Sequence, residues 1–491
     1  MYGFEPPDRI DFRRLVLIES CPAAGLGAGS KLPRQPLDRW LAVRDACVSW
    51  FNASSEDQDT ADEIADRLFG VFDPVQRELM EEGFAGFLSL GLKAPGVEVD
   101  LDPQPNIVVD EATNTMLSAP YQFELSEGGE VTAVRLRTGR TGTSEVEAAV
   151  FYTTAPPEAT LVDAFVARDD LVPVERPGPD RARSLLASVF ARHQAATSVE
   201  RPGRVPGLHC FRCPRPARCG QYPAIGGEPG PNTRTIVLSK SRIAEMENCH
   251  RAAAWPAIYG IPTDEGAADD MTSGAIVGSQ VHEALAAILS GGDPEAAITV
   301  ACRSVSPADA ADIRRLCEQH LDLWRRDPHP VAEVRKAEYQ MGVTMLVPGL
   351  GIDRSGGLRD APVAVVMIGT TDVNGWESDR VAAVVEHRTG RHSAPLPHEP
   401  DLYAVSAARA LASLGREVDG VAVHVHHLRR DPAECERIFY GPDGIAAATD
   451  RLREVASAAA AWHPTNALGP GFTVGPWCEW CDRRGRCLRF R

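Results

Sequence analysis

CEWCDRRGRC, Cys478 to Cys487, and CFRCPRPARC, Cys210 to Cys219, share the spacing Cys-x2-Cys-x5-Cys, and neither has a fourth cysteine beside it. The chain holds 12 cysteines in 491 residues. Inside a reducing compartment, close Cys-x2-Cys pairs serve metals or redox chemistry more often than structural disulfides. Three thiolates are one short of a tetrahedral set, so each clasp needs a donor from elsewhere. A lone cysteine precedes each one: Cys21 in VLIESCPAAG and Cys249 in RIAEMENCHRAAAW. Zinc and an iron–sulfur cluster both accept four thiolates. Zinc ribbons usually supply two Cys-x2-Cys knuckles, whereas a split of one and three suits the four corners of a [4Fe–4S] cube. The rival fourth donors are Cys47, Cys302, Cys317 and Cys435. Their ordinary role is that of small buried apolar residues.

Working outward from the clasps, a repeated order emerges. EVTAVRLRTGR, Glu130 to Arg140, and VAAVVEHRTGR, Val381 to Arg391, each read as a strand ending in Arg-Thr-Gly-Arg. Helical spacing follows in DRARSLLASVFARHQAA and in DGIAAATDRLREVASAAAAW, and then the clasp. YPAIGGEPGPNTRT, rich in Gly and Pro, reads as a linker. The expectation is an α/β protein of two tandem domains, 1–222 and 235–491, with 223–234 between them. Each would be a small mixed sheet flanked by helices and closed by four cysteines: Cys21, Cys210, Cys213 and Cys219 in the first, Cys249, Cys478, Cys481 and Cys487 in the second. A bond set that ties a domain's start to its end stabilises it without any redox step.

Composition sets limits. The chain is 44% hydrophobic and 24% charged, with a formal net charge of −17. That balance argues against a strongly basic, non-specific coat for nucleic acid but leaves room for a basic groove on an acidic body. No apolar run reaches 18 residues, so no membrane span is expected. The apolar run Leu15 to Ile18 is too short for a signal-peptide core, which points to the cytoplasm.

The second half carries the chemistry. LSKSRIAEMENC reads as an N-capped helix with Ile243, Met246 and Cys249 on one face. GAIVGSQVHEALAAIL is a second helix, bearing His282. AEYQMGVTM, with Glu338, and APVAVVMIGTTDVNG, with Asp372 at its end, read as strands. In VAAVVEHRTG, Glu386 and Arg388 alternate onto one face. If the last two strands form a hairpin, Asp372 reaches that face. HEPDLYAVSAARAL, a helix, presents Tyr403. Two carboxylates, a histidine and a cation can hold Mg2+ or Mn2+ and a phosphodiester.

This order resembles the PD-(D/E)XK nuclease superfamily. More narrowly, it is similar to the RecB-like and CRISPR-associated exonucleases that carry an iron–sulfur cluster. The family pattern is Cys, His, Asp, Glu-x-Lys, Gln-x3-Tyr and then three cysteines. It falls here on Cys249, His282, Asp372, Glu386 with Arg388, Glu399 with Tyr403, and Cys478, Cys481 and Cys487. The resemblance implies two restriction-endonuclease-like domains and a divalent metal on His282, Asp372 and Glu386. It also implies a [4Fe–4S] cluster in each domain with zinc as the alternative, and DNA as the substrate. A helicase or another protein subunit would be a further partner. Two departures stand out: Arg388 replaces the motif lysine and Glu399 the motif glutamine. A guanidinium is planar and keeps its proton, unlike a lysine ammonium. In the first half, Arg135 stands where Glu386 would align, and no histidine precedes His193. The tyrosine helix is expected to be missing there, so that half reads as a degenerate copy. Two functions follow: a Mg2+- or Mn2+-dependent deoxyribonuclease sited in the second half, or a nuclease-dead iron–sulfur subunit that binds DNA or a partner.

Other features have plainer readings. His424 and His426 in GVAVHVHHLRR fall on one strand face, expected to be exposed or turned toward DNA. Arg483, Arg484, Arg486, Arg489 and Arg491 make a basic C-terminus, fit for phosphates or for solvent alone. Trp477 and Trp480 are expected to pack around the second clasp.

Overall fold

The structure, a computed structural model, describes residues 8–10, 21, 34–54, 56–139, 141–199, 204–213, 216–263, 273–326, 333–352, 357–390 and 398–490. The chain forms two compact units, Met1–Val205 and Pro206–Arg491.

In the first unit, β1 (Asp8–Ile10), β3 (Asn106–Asp110) and β4 (Thr115–Ala119) form a three-stranded sheet. A five-stranded sheet runs β2 (Glu98–Asp100), β5 (Phe123–Glu127), β6 (Glu130–Arg137), β7 (Thr160–Phe165), β8 (Asp170–Pro173). Helices α1 (Arg34–Asn52), α2 (Gln58–Phe69) and α3 (Pro74–Ser89) bury Phe69, Met80, Phe84 and Phe87 against Phe123. Asp57 and Asp73 cap α2 and α3 through their first free amides. Helix α4 (Glu145–Thr154) starts with a Ser144–Glu147 capping box and links β6 to β7, and α5 (Pro179–Thr197) follows β8.

The second unit is built on β12. Its apolar run Val363–Ile368 is buried on both faces, as a near-continuous hydrophobic strand must be. The sheet order is β15 (Glu434–Tyr440), β14 (Gly420–His427), β13 (Val381–Arg388), β12 (Leu358–Ser378), β11 (Glu333–Ile352), β9 (Ala224–Ile225). β12 pairs with β11 on one side from Leu358 to Trp376. On the other side it changes partner. β10 (Arg234–Ser239) takes 363–368 in parallel, and β13 takes 373–378 antiparallel. Residues 369–372 lie in the gap between the two partners, and their backbone groups on that side are open to side chains. Helices α6 (Lys240–Asn248), α7 (His250–Ala254), α8 (Ser273–Leu289), α9 (Pro294–Ala301), α10 (Pro307–Arg326), α11 (Glu399–Ser413), α12 (Pro442–Ala460) and α13 (Arg484–Arg489) complete the unit.

The two units share a strand plan. In the first, β2–β5 and β5–β6 are antiparallel, β6–β7 is parallel across α4, and β7–β8 is antiparallel. In the second, β11–β12 and β12–β13 are antiparallel, β13–β14 is parallel across α11, and β14–β15 is antiparallel. A helix follows each fourth pairing, α5 and α12.

Two expectations are corrected. A helix does follow the first RTGR: α4, with Tyr152 near its end. The stretch read as a linker contributes β9 to the main sheet. The two compact units divide after Val205, which places the first clasp in the second unit, where Cys210, Ala217 and Tyr222 bury themselves on Ala364, Val366 and Ile368 of β12. The Gly/Pro composition hid this because one aromatic, Tyr222, docks the segment. It is 2% exposed and donates to Gln340 Oε1 at 2.9 Å.

Candidate functional site

The register of β12 with β13 sets Val373 against Val385, and continuing it sets Asp372 opposite Glu386. The hairpin therefore brings the two carboxylates together, as the sequence suggested. Asp372 lies in the pairing gap, inside β12 rather than at its end. Its Oδ1 meets His282 Nδ1 of α8 at 2.6 Å, and its Oδ2 accepts the His387 backbone N–H at 2.5 Å. Burial alone would raise this carboxyl. His387 and His282 outweigh burial and hold it well below the usual range. At His282, burial opposes the charge, and the Asp372 carboxylate overrides it and raises the pKa.

Glu386 is 4% exposed, and burial raises its pKa. Lys240 opposes that rise, and the nearby Asp372 charge adds to it. The Lys240 ammonium comes from the first turn of α6. Its Nζ donates to Glu386 Oε1 at 2.7 Å and Tyr403 OH at 2.9 Å, and lies 2.9 Å from Glu399 Oε1. It also reaches Thr370 O in the strand gap at 3.3 Å. Tyr403 OH lies within hydrogen-bond reach of two acceptors for its single proton, Thr370 O at 2.7 Å and Glu386 Oε2 at 2.9 Å. Gly369 permits this: a Cβ there would stand 2.7 Å from Tyr403 Cε1. Arg388 NH1 lies 3.7 Å from Glu386 Oε1, while its NH2 pairs with Glu399 Oε2.

Lys240 is the functional side chain that sequence reasoning missed. Its cue was weak: SKS reads as an N-cap, and Ser239 does cap α6. What aims Lys240 is the parallel docking of β10, which pairs Ser239 with Ile368 and leaves the next residue facing the gap. The compact cation absent from position 388 is thereby present from another element.

Among the described residues, one set of metal-competent donors is His282, Asp372 and His387, whose donor atoms lie within 4.8 Å of one another. Glu386, expected as the third ligand, accepts from Lys240 and Tyr403. Successive strand residues point to opposite faces, so the His387 ring turns away from Glu386 while its Nδ1 stays 3.6 Å from Asp372 Oδ2, and it packs 4.6 Å from the ring of His320 on α10.

Cys249, Cys478, Cys481 and Cys487 line one cavity of about 330 Å³, with Trp477 and Arg251 on the same wall. Burial raises the Cys481 and Cys487 thiols; Arg251 opposes this at Cys487, while Cys249 and Cys478 reinforce it. Arg251 N donates to Gly471 O at 3.0 Å and Trp255 Nε1 to Ala467 O at 2.8 Å, binding the start of the unit to its end. Of the first set, Cys21 lies in the first unit and Cys210, Cys213 and Cys219 in the second. Cys47 and Cys317 are buried in apolar clusters, as expected of small core residues. Cys302 packs against the second of those clusters, and Cys435 Sγ sits 3.6 Å from His424 Nδ1.

Two surface readings fail. His424 and His426 are 1% and 0% exposed, because β14 is covered on both faces. Arg483 and Arg486 are buried rather than part of a basic tail, and Arg483 Nε donates to Ile261 O at 3.0 Å. Arg484 and Arg489 are exposed, and Arg491 and the Trp480 side chain lie outside the described residues.

In the first unit Arg135, 5% exposed, pairs with Glu147 at 3.3 Å, and Arg137 Nε donates to Asp163 at 2.8 Å.

A family model of the PD-(D/E)XK nuclease superfamily matches residues 237–488. No curated protein matches the chain. A crystal structure described as a "putative exonuclease" from Eubacterium rectale matches at 11% identity and a TM-score of 0.29. The match covers 51% of this chain and 87% of that one, a likeness too distant to bear on function.

Proposed function

The chain belongs to the PD-(D/E)XK nuclease superfamily, and from that premise we propose a metal-dependent deoxyribonuclease of the RecB-like iron–sulfur type that works from DNA ends, with its site in the second unit. The observation that carries this reading is the Lys240–Glu386 contact of 2.7 Å beside the His282–Asp372 pair. It restores the carboxylate–ammonium pair that Arg388 alone would leave incomplete. His282, Asp372 and Glu386 would hold Mg2+ or Mn2+; imidazole and hard oxygen donors suit these ions. A bound ion would polarise the phosphoryl oxygen and acidify a water. Lys240 would orient an attacking water and steady charge as it develops, and Tyr403 holds the Glu386 carboxylate. The α11 helix, through Glu399, holds Arg388 against the same cluster.

The four-cysteine cavity supports a [4Fe–4S] cluster, with zinc as the alternative. A metal bound there would displace the thiol protons of the four cysteines to solvent and tie the start of the unit to its end. The matching strand plans support descent from a duplicated unit whose first copy lost its acidic ligands. One observation favours the nuclease-dead alternative: two carboxylates, Glu386 and Glu399, face two cations, Lys240 and Arg388, so that cluster is neutral without a metal. A Mn2+-dependent cleavage assay on end-labelled DNA separates the readings. Cutting by wild type and none by Glu386→Ala supports the enzyme, and cutting by neither supports the scaffold.

A further inference from the structure

Behind the carboxylates, on the opposite side of β13, three buried histidines converge. His320 of α10, His387 of β13 and His426 of β14 are 1%, 2% and 0% exposed. Each offers a ring nitrogen, and the three nitrogens lie within 4.8 Å of one another. His387 and His426 are register partners on adjacent parallel strands, which sets their side chains abreast. We propose that His320, His387 and His426 bind a first-row divalent transition ion, Zn2+ being the natural candidate, at a site separate from the one that takes Mg2+ or Mn2+.

Two independent observations carry it. The first is metric. Ring centroids stand 4.6 Å apart for His320–His387, 5.3 Å for His387–His426 and 5.7 Å for His320–His426. A zinc-bound nitrogen at about 2.0–2.1 Å puts its ring centroid roughly 3.2 Å from the ion, so two rings at the tetrahedral angle lie roughly 5.2 Å apart. The three separations bracket that value. The second is the carboxylate behind His387. Its Nδ1 lies 3.6 Å from Asp372 Oδ2, and neither ring nitrogen of this buried residue makes a hydrogen bond. A ligating histidine commonly turns its second N–H toward a carboxylate, which fixes the ring and its tautomer. A small rotation of His387 satisfies both ends, one nitrogen toward Asp372 and the other toward the ion.

Three imidazoles with no thiolate or carboxylate in the set favour zinc over Mg2+. Three protein ligands leave the fourth position to a water. The indole of Trp324, 5.3 Å from the His320 ring and 6.4 Å from that of His426, walls the site. A cation there ties α10 to β13 and β14, and through His387 it supports the ionised form of Asp372.

The test uses the full-length chain, tag removed, loaded with zinc and desalted without chelator. Metal content and zinc K-edge absorption are then read, independently of any nuclease activity. We expect about one zinc per chain in nitrogen coordination near 2.0 Å with imidazole outer shells. His320→Phe and His426→Phe should each lower that nitrogen-bound zinc at least fivefold while iron content stays unchanged. Zinc absent after loading, zinc with only a sulfur shell near about 2.3 Å, or nitrogen-bound zinc retained in either folded variant overturns the proposal. If neither variant folds, the wild-type spectrum decides: an imidazole shell supports the site and its absence overturns it.

Discussion

Replacing Lys240 with methionine removes one charge and little volume. In the native arrangement the ammonium touches Glu386, Glu399 and Tyr403 at 2.7, 2.9 and 2.9 Å. Its loss leaves two carboxylates, with side chains 5% and 2% exposed, facing Arg388 alone. Stripping one partner from a buried ionic set costs about 3–5 kcal/mol. Two features reduce that figure. Lys240 is itself 25% exposed, and Glu386, whose pKa burial already raises, can take up a proton. A loss of about 2–3 kcal/mol follows, equivalent to a drop of roughly 4–10 °C in melting temperature. The chemical step should suffer more, by about 10²–10³-fold in kcat, since the lost charge acts where negative charge develops. The sign of the pH effect is also determined. Lys240 lowers the Glu386 pKa, so removing it pushes that pKa further up. The variant's residual rate should then climb more steeply than wild type as pH rises. The assay is Mn2+-dependent cleavage of end-labelled DNA, with thermal unfolding in parallel. A folded Lys240→Met that cuts within threefold of wild type refutes the reasoning, as does an Arg388→Met that loses more kcat than Lys240→Met.

Gly369→Ala would set a methyl 2.7 Å from the Tyr403 ring and should cost about 1–3 kcal/mol, with reduced cleavage; unaltered melting and rate would mean Tyr403 is not held there. Asp401, bonded by Arg451 at 2.7 and 2.8 Å, with His398 Nδ1 at 3.5 Å and Tyr440 at 3.0 Å, is held below its ordinary pKa by those groups against the opposing effect of burial. That stabilisation is full above the unfolded carboxyl value near about 3.9 and fades as pH falls through the lowered native one. Asp401→Asn should therefore be less stable than wild type by about 2 kcal/mol at pH 7, and the gap should close under strong acid in a denaturant titration. Cys487→Ser should abolish any absorption band at about 400 nm from the second clasp and lower stability; a retained band would place the cluster elsewhere.

How far the sequence could be read depended on the range of the contacts involved. Local patterns served well. APVAVVMIGTTDVNG and VAAVVEHRTG were legible as strands, and their antiparallel pairing sets Glu386 opposite Asp372. The helices carrying His282 and Tyr403 were legible from apolar spacing. What stayed hidden was set by long-range docking. Lys240 acts 146 residues from Glu386 and reaches it only because β10 fills the open edge of β12. The alternation VHVH suggested one wet face, but β14 has strands on both sides and helical cover, so His424 and His426 are core residues. Tyr222 pulls a Gly- and Pro-rich stretch into the sheet, which composition cannot signal. Among the described residues, no helix is long and apolar enough to cross a membrane.

The most direct measurement is cleavage of end-labelled DNA by the purified chain with and without Mn2+, wild type beside Glu386→Ala. The account predicts metal-dependent shortening from the ends by wild type and at least a 10²-fold slower rate for the variant. Equal cutting by both proteins, or none by a folded, metal-loaded wild type, would contradict it.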